Sequence, residues 1–277
     1  MPRSPQPTPG DDDMTQKQDS PTRPALGALR QFHQPLRPDL PPLLVFPHAG
    51  SGASAYRALS EVFSRQFTVL IMQYPGRQDR MRETAAGDLG DLADEAVRHY
   101  VSRPDATTAP LTVFGHSLGA LVGFEFVRRA EDRSVPLTGL VVSAATAPSR
   151  VADLPPHPTD DEGLMAHLSV LDGTGTGVMG SEAVMRMALP VLRADYQAFD
   201  GYRCAPDVRI ATPITVIGGA DDPVIKPHDL HTWSAHAEDV TVSVFDGGHF
   251  YLHESGPEIL EVLTEARDAG RTDQVHR

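Results

Sequence analysis

From Leu43 onward the chain alternates between short, nearly continuous apolar runs and amphipathic stretches. The runs 43–46, 68–72, 111–114, 140–143, 214–217 and 240–245 are rich in β-branched residues, and their brevity and continuity predict buried strands. Residues 55–63, 89–100, 120–130, 227–236 and 258–266 instead carry apolar positions at three- and four-residue spacing, the pattern of helices that cover a sheet. Alternation of the two predicts an α/β domain with a mostly parallel central sheet flanked by helices. Residues 29–33 supply a candidate edge strand ahead of the first clear one.

The alternation breaks between Pro148 and Pro213, where helical pattern continues without a strand, so residues of about 148–200 read as an insertion. Met185, Leu189, Leu192, Tyr196 and Phe199 fall on one helical stripe, and Pro190 is expected to open a second helix, because a proline within one removes a hydrogen bond. Asp172 to Gly177 (DGTGTG) is a flexible stretch whose Gly173, Gly175 and Gly177 are candidate hinges. Met165, Met179, Met185 and Met187 also fall here, and adaptable thioethers suit a surface that meets variable apolar groups as well as they suit ordinary packing.

Ten of the 25 prolines lie in the first 42 residues among Gln, Ser, Thr and Asp, a composition that cannot offset its ordering entropy. Residues 1–42 are therefore expected to be a mostly disordered extension, 43–267 the folded domain and 268–277 a flexible tail. Forty per cent hydrophobic residues are enough for a substantial core. A net charge of −13, from 24 basic and 37 acidic residues, repels phosphate backbones and anionic lipid, so neither nucleic acid nor a membrane is an expected partner. Cys204 is the only cysteine, which excludes an internal disulfide and a cysteine-rich metal site. With no apolar run of spanning length and no signal-peptide pattern, a cytoplasmic protein is expected.

Gly115-His116-Ser117-Leu118-Gly119 joins the predicted strand 111–114 to the predicted helix from Ala120, the strand–turn–helix context of a G-x-S-x-G nucleophile elbow. A serine hydroxyl needs a base and an orienting acid, which follow such an elbow in the order Ser, Asp or Glu, His. The loop after 214–217 carries two acids, Asp221 and Asp222. Asp222, directly before Pro223, is preferred, and Asp221 is assigned to capping or solvating the turn. Among the 12 histidines, His249 alone follows the strand after that loop, behind Gly247 and Gly248. His116 beside the serine is expected to point away and pack, while His99, His167 and His236 read as surface or helix residues. An oxyanion needs two preorganised donors. The Leu118 N–H follows the nucleophile, and Ala49 in the glycine-containing loop 46–52 is the candidate for the second, against the alternative of an ordinary turn.

Five segments resemble the type II thioesterases that accompany modular polyketide and nonribosomal peptide synthases: LLVFPHAGSGASAY (43–56), QYPGRQDRMRE (73–83), FGHSLGALVGFEFVRR (114–129), LPVLRADYQAFDGYR (189–203) and DGGHFYLHE (246–254). The resemblance implies an α/β-hydrolase fold, a Ser117–Asp222–His249 triad, Ala49 and Leu118 as oxyanion donors, and the insertion as a lid over an acyl chamber. It also implies no metal or soluble cofactor, and acyl or peptidyl carrier domains bearing phosphopantetheine as partners. Carrier domains are usually acidic, so docking calls for a local basic or apolar patch. Arg77, Arg80 and Arg82 are the candidates, against the alternative of a solvated basic loop. Two features depart from the family pattern: the long N-terminal extension and DGTGTGVMGSE (172–182) in the lid. An esterase or lipase acting on small oxoesters shares the elbow and the triad, and a noncatalytic binding protein is expected to have lost a triad member.

Overall fold

The computed structural model describes residues 27–172 and 182–275. The extension before residue 27 and the glycine-rich stretch 173–181, with its candidate hinges, lie outside the described residues. Seven strands form one sheet: β1 (Leu29–Arg30), β2 (Pro42–Phe46), β3 (Thr68–Met72), β4 (Leu111–His116), β5 (Leu137–Ser143), β6 (Ile214–Gly219) and β7 (Val240–Phe245), in the order β1-β3-β2-β4-β5-β6-β7. Only β1 runs antiparallel, pairing Leu29 with Met72 at one edge. The central strands are buried along their length because helices cover both faces, whereas the edge strand β7 alternates between exposed and half-buried positions.

One face is covered by α2 (Leu89–Val101) and α3 (Leu118–Glu131), packing Leu92, Val97, Leu121 and Phe126 against the sheet. The other is covered by α1 (Arg57–Phe63) and by α7 (Gly256–Val275), with Leu59, Phe63, Ile259 and Leu263 in contact with the core. The helix expected over 227–236 is a short α6 (Pro227–Leu230) followed by a tighter 3₁₀ turn, His231–Ala235, whose Trp233 indole N–H donates to the Ala145 carbonyl at 2.9 Å.

The insertion between β5 and β6 consists of a 3₁₀ helix at Pro148–Asp153, α4 (Asp161–Asp172) and α5 (Glu182–Gly201). Two sequence expectations are corrected here. Pro190 does not open a helix but lies inside α5. Its ring is exposed while Leu189, Leu192 and Tyr196 carry the buried stripe, so water can replace the hydrogen bond that proline cannot donate. Residues 268–275 are not a tail but continue α7, whose approach to β5 extends one turn beyond the apolar stripe. A Cβ at Gly270 would stand 1.9 Å from the Thr138 carbonyl oxygen.

Candidate active site

Ser117 stands between β4 and α3 with φ of 56°, a conformation that costs a non-glycine residue energy and places its side chain at the C-terminal edge of the sheet. The Ser117 N–H donates to the Ser143 carbonyl at 2.8 Å, which ties the turn to β5. The flanking glycines are required by close approach. A Cβ at Gly115 would lie 2.2 Å from the Gly119 carbonyl oxygen, and one at Gly119 would lie 2.1 Å from that of Phe46. The second clash is informative, because it shows the start of α3 pressed against the end of β2, where the Pro47–Ala53 loop begins.

Asp222 follows β6 and His249 follows β7. The loops that carry them touch: the Asp221 N–H donates to the Gly247 carbonyl at 2.9 Å, and Gly247 takes φ of 110°, which favours glycine. Asp222 is fully buried and His249 is 3% exposed. His249 Nδ1 and Asp222 Oδ2 are 2.7 Å apart, and the other carboxylate oxygen accepts from the N–H groups of Val224 and Ile225 at 2.8 and 3.0 Å. Burial pulls the Asp222 carboxyl upward, but the His249 hydrogen bond and charge and the two N–H donors outweigh it and hold it below the usual carboxylate value. With Nδ1 donating to a carboxylate, the ring presents Nε2 as a proton acceptor. Asp221 is exposed.

Ser117, Leu118 and His249 line one cavity of about 290 Å³. Its floor is Ala144, Ala145 and Thr146 from the end of β5, and its roof is the insertion: residues 154–158, His167 and Leu171 from α4, and Tyr196 and Phe199 from α5. The walls are largely apolar, the surface that a hydrocarbon chain fills. Ala49 is buried in the loop after β2 and is not part of the cavity lining.

His116 is fully buried and turned into the protein, with Nδ1 2.9 Å from Ser143 Oγ. Its ring centroid lies 5.2 Å from that of His249 and 5.7 Å from that of His48. Burial, and then His249 and its other histidine neighbours, hold His116 well below the ordinary imidazole value. Burial followed by His253 and His249 brings His48 down to about 3. Neutral rings thus pack behind His249.

Of the histidines assigned to surface or helix positions, His167 does lie on α4, whereas His236 is neither exposed nor within a helix. His167 looks into the cavity, where burial and then His157 lower it to about 4. His236 is fully buried, bonded to Ser149 and to the Val208 carbonyl. His157 also lines the cavity, stacked on Tyr196 at 3.8 Å and held by Asp200 through Nδ1 at 2.6 Å and its backbone N–H at 2.9 Å. Sequence reasoning passed over it because its partner is 43 residues away.

The basic patch is also corrected. Arg77 is 6% exposed and its guanidinium pairs with the buried Asp195 of α5. Arg80 is clasped by Glu83 and Glu95 and donates to the Gln73 carbonyl at 2.7 Å. Both charges are paired with carboxylates, which leaves Arg82 exposed on this stretch. Among the described residues no group of His, Cys, Asp and Glu is arranged to hold a metal, and no helix is long and apolar enough to cross a membrane.

Comparison with known proteins gives a consistent picture. The family profile described as a thioesterase domain matches residues 41–266. The chain is 38% identical over 246 residues to a probable cadicidin biosynthesis thioesterase of Streptomyces griseus, spanning 87% of this chain and 67% of that one. It is 39% identical over 244 residues to the phenyloxazoline synthase MbtB of Mycobacterium tuberculosis, but there the match spans 83% of this chain and only 17% of that far longer protein. Among solved structures it resembles the type II thioesterase BorB from the borrelidin biosynthetic cluster, with a TM-score of 0.77 and 37% identity. That match covers 89% of this chain and 99% of the other.

Proposed function

The chain belongs to the thioesterase family as a type II thioesterase of the kind found in polyketide and nonribosomal peptide pathways, and from that premise we propose that Ser117, His249 and Asp222 hydrolyse acyl groups from the phosphopantetheine arm of acyl or peptidyl carrier domains. Ser117 Oγ attacks the thioester carbonyl carbon as its proton passes to His249 Nε2, while Asp222 holds Nδ1–H and stabilises the imidazolium. The carbonyl oxygen becomes an oxyanion and accepts hydrogen bonds from the backbone N–H groups of Leu118 and Ala49. Collapse breaks the C–S bond, and the imidazolium returns its proton to the departing sulfur. The thiol, with an unperturbed pKa of about 8.5, is a far better leaving group than an amine. Water then attacks the acyl-serine with His249 again as base, releasing a free acid and restoring the hydroxyl.

The observation that carries this reading is the Asp222–His249 pair and the strained Ser117, with Ser117 and His249 lining one largely apolar cavity that the insertion also lines. In its pathway the protein removes misprimed or stalled acyl groups from carriers in the cytoplasm. The test is steady-state hydrolysis of matched acyl-pantetheine thioesters, p-nitrophenyl oxoesters and acyl-loaded carrier protein by wild type and Ser117→Ala. Thioesters, above all carrier-bound ones, should be preferred, and the alanine variant should lose about 10⁴-fold or more in kcat/KM. Preferential cleavage of free oxoesters would assign the protein to the esterases instead.

A further inference from the structure

The insertion side of the cavity is not uniformly apolar, for His157, His167 and Tyr196 line it together. The His157 ring lies flat on Tyr196, with centroids 3.8 Å apart and planes within 9°. His167, from α4, stands perpendicular to both, its centroid 5.2 Å from that of His157 and 5.4 Å from that of Tyr196. An apolar side chain of similar volume at either histidine position would pack a hydrocarbon-lined wall without a polar atom. Two imidazoles instead bring ring nitrogens to it.

Hydrogen bonding decides what each ring offers. Both oxygens of Asp200 hold His157, Oδ1 at Nδ1 (2.6 Å) and Oδ2 at the backbone N–H (2.9 Å). A carboxylate only accepts, so Nδ1 carries the proton, and in the neutral ring Nε2 is then an acceptor. Asp200 lies outside the cavity lining while His157 is part of it, so the bonded corner of the ring faces α5 and Nε2 is the nitrogen left to the cavity. His167 makes no hydrogen bond to a described residue. Burial, then His157 and His249, lower it to about 4, so its ring is neutral and has one N–H donor and one bare nitrogen. The two rings therefore offer an acceptor and a donor across a 5.2 Å separation of centroids, which a single oxygen can bridge with bonds of about 2.8 Å. A hydroxyl both donates and accepts and satisfies the pair. A ketone oxygen only accepts, leaving His157 Nε2 unserved, and a methylene leaves both rings unserved.

We infer that His157 and His167 form a hydroxyl-recognising subsite of the acyl chamber, so that hydroxylated acyl chains are its preferred occupants. The inference rests on the proposed hydrolase reading and deepens it by naming the substrate class. The hydroxyl donates to His157 Nε2 and accepts from the His167 N–H, while the apolar walls hold the rest of the chain. Asp200 and the Tyr196 stack fix the His157 ring in advance, so little ordering is left to be done on binding.

The experiment is calorimetry with amide analogues of acyl-pantetheine, in which nitrogen replaces the thioester sulfur so that the ligand outlasts the titration. The hexanoyl analogue is compared with analogues carrying a hydroxyl or a keto oxygen at C3, C4 or C5, on wild type, His167→Leu and His157→Phe. The phenyl ring keeps a stack on Tyr196 and lacks the nitrogens. In wild type one hydroxylated analogue should bind about tenfold tighter than the hexanoyl analogue, and its keto counterpart should gain less than about threefold. In both variants the hydroxyl gain should vanish or reverse, because a hydroxyl buried without partners is costly. A hydroxyl gain below about threefold at every position, a keto gain equal to it, or a tenfold gain that survives in either variant would overturn the inference. Should one variant not fold, the other decides by the same ratio, which a loss of affinity shared by both ligands does not move. Turnover of hexanoyl-pantetheine by wild type and Ser117→Ala is measured alongside. Equal rates would remove the hydrolase reading, while the binding series still decides the subsite.

Discussion

The sheet frame and the helical insertion face each other across one cavity and are built by opposite means. In the frame, turns at strand ends place the proposed catalytic groups. Ser117 is set by the β4–α3 elbow, and Asp222 meets His249 across neighbouring strands 27 residues apart. In the insertion, buried polar pairs reach across the chain: Asp195 to Arg77 over 118 residues, Asp195 to Gly50 over 145, and Tyr202 to Glu125 over 77. A turn tolerates almost no change of backbone, whereas a polar pair tolerates changes of backbone but not loss of one partner. The frame should therefore fail at glycines and at the proposed triad, and the insertion at its charged and hydroxyl ties.

The largest expected effect separates the two acids of one loop. Asp222→Asn should lower kcat by about 10⁴-fold through loss of the correct His249 tautomer, while exposed Asp221→Asn stays within about twofold. Equal effects at the two positions, in kinetics on an acyl-pantetheine, would remove the assignment of the acid. Next comes a pair of glycines. Gly119→Ala places a methyl 2.1 Å from the Phe46 carbonyl oxygen and should cost about 3 kcal/mol or more, to the point of abolishing folding. Gly201→Ala, at the end of α5 with nothing within 4 Å of its Cβ, should stabilise by about 0.5–1 kcal/mol. Chemical denaturation of the two variants would break the contrast between frame and insertion if they shifted alike.

A third contrast is in pH. His48, near 3, and His116, well below its ordinary value, stay neutral in the folded frame. Because the folded values lie below the unfolded value of about 6.5, the unfolded chain takes up protons first as pH falls. Their stabilising contribution is complete above about pH 6.5 and is lost below it. The loss is about 1.4 kcal/mol per pH unit for a fully buried ring such as His48, until its folded value is reached. His167 of the insertion, near 4 and only partly buried, adds in the same direction. Melting temperature should be flat above about pH 7 and fall steeply below about 6.5. A profile flat down to pH 5 would show that these rings protonate in the folded protein.

The same division governs what the sequence discloses. Every strand apart from the two-residue β1 follows from an apolar run, and Thr68–Met72 and Val240–Phe245 begin and end where the runs do. Ser117, Asp222 and His249 stand out as candidates because each sits at a strand end in a fixed order, a local signal. Arg77 and Asp195 belong to legible segments, but nothing local says that a basic residue in a loop and an acid on a distant helix neutralise each other out of water. Pro190 misleads for a related reason, since whether a proline ends a helix depends on whether the lost bond faces solvent. Likewise α7 runs past its apolar stripe because Gly270 allows contact with β5 through backbone. Such contacts leave no hydrophobic period to read.

The most direct test of the account is rapid-quench mass spectrometry of the wild-type protein during turnover of butyryl-pantetheine, with the acyl group mapped to a peptide. A transient butyryl ester on Ser117, formed as pantetheine thiol is released and decaying as butyrate appears, is the predicted result. Thiol release with no acyl group on Ser117, or with the acyl group on Cys204 or another serine, would contradict it.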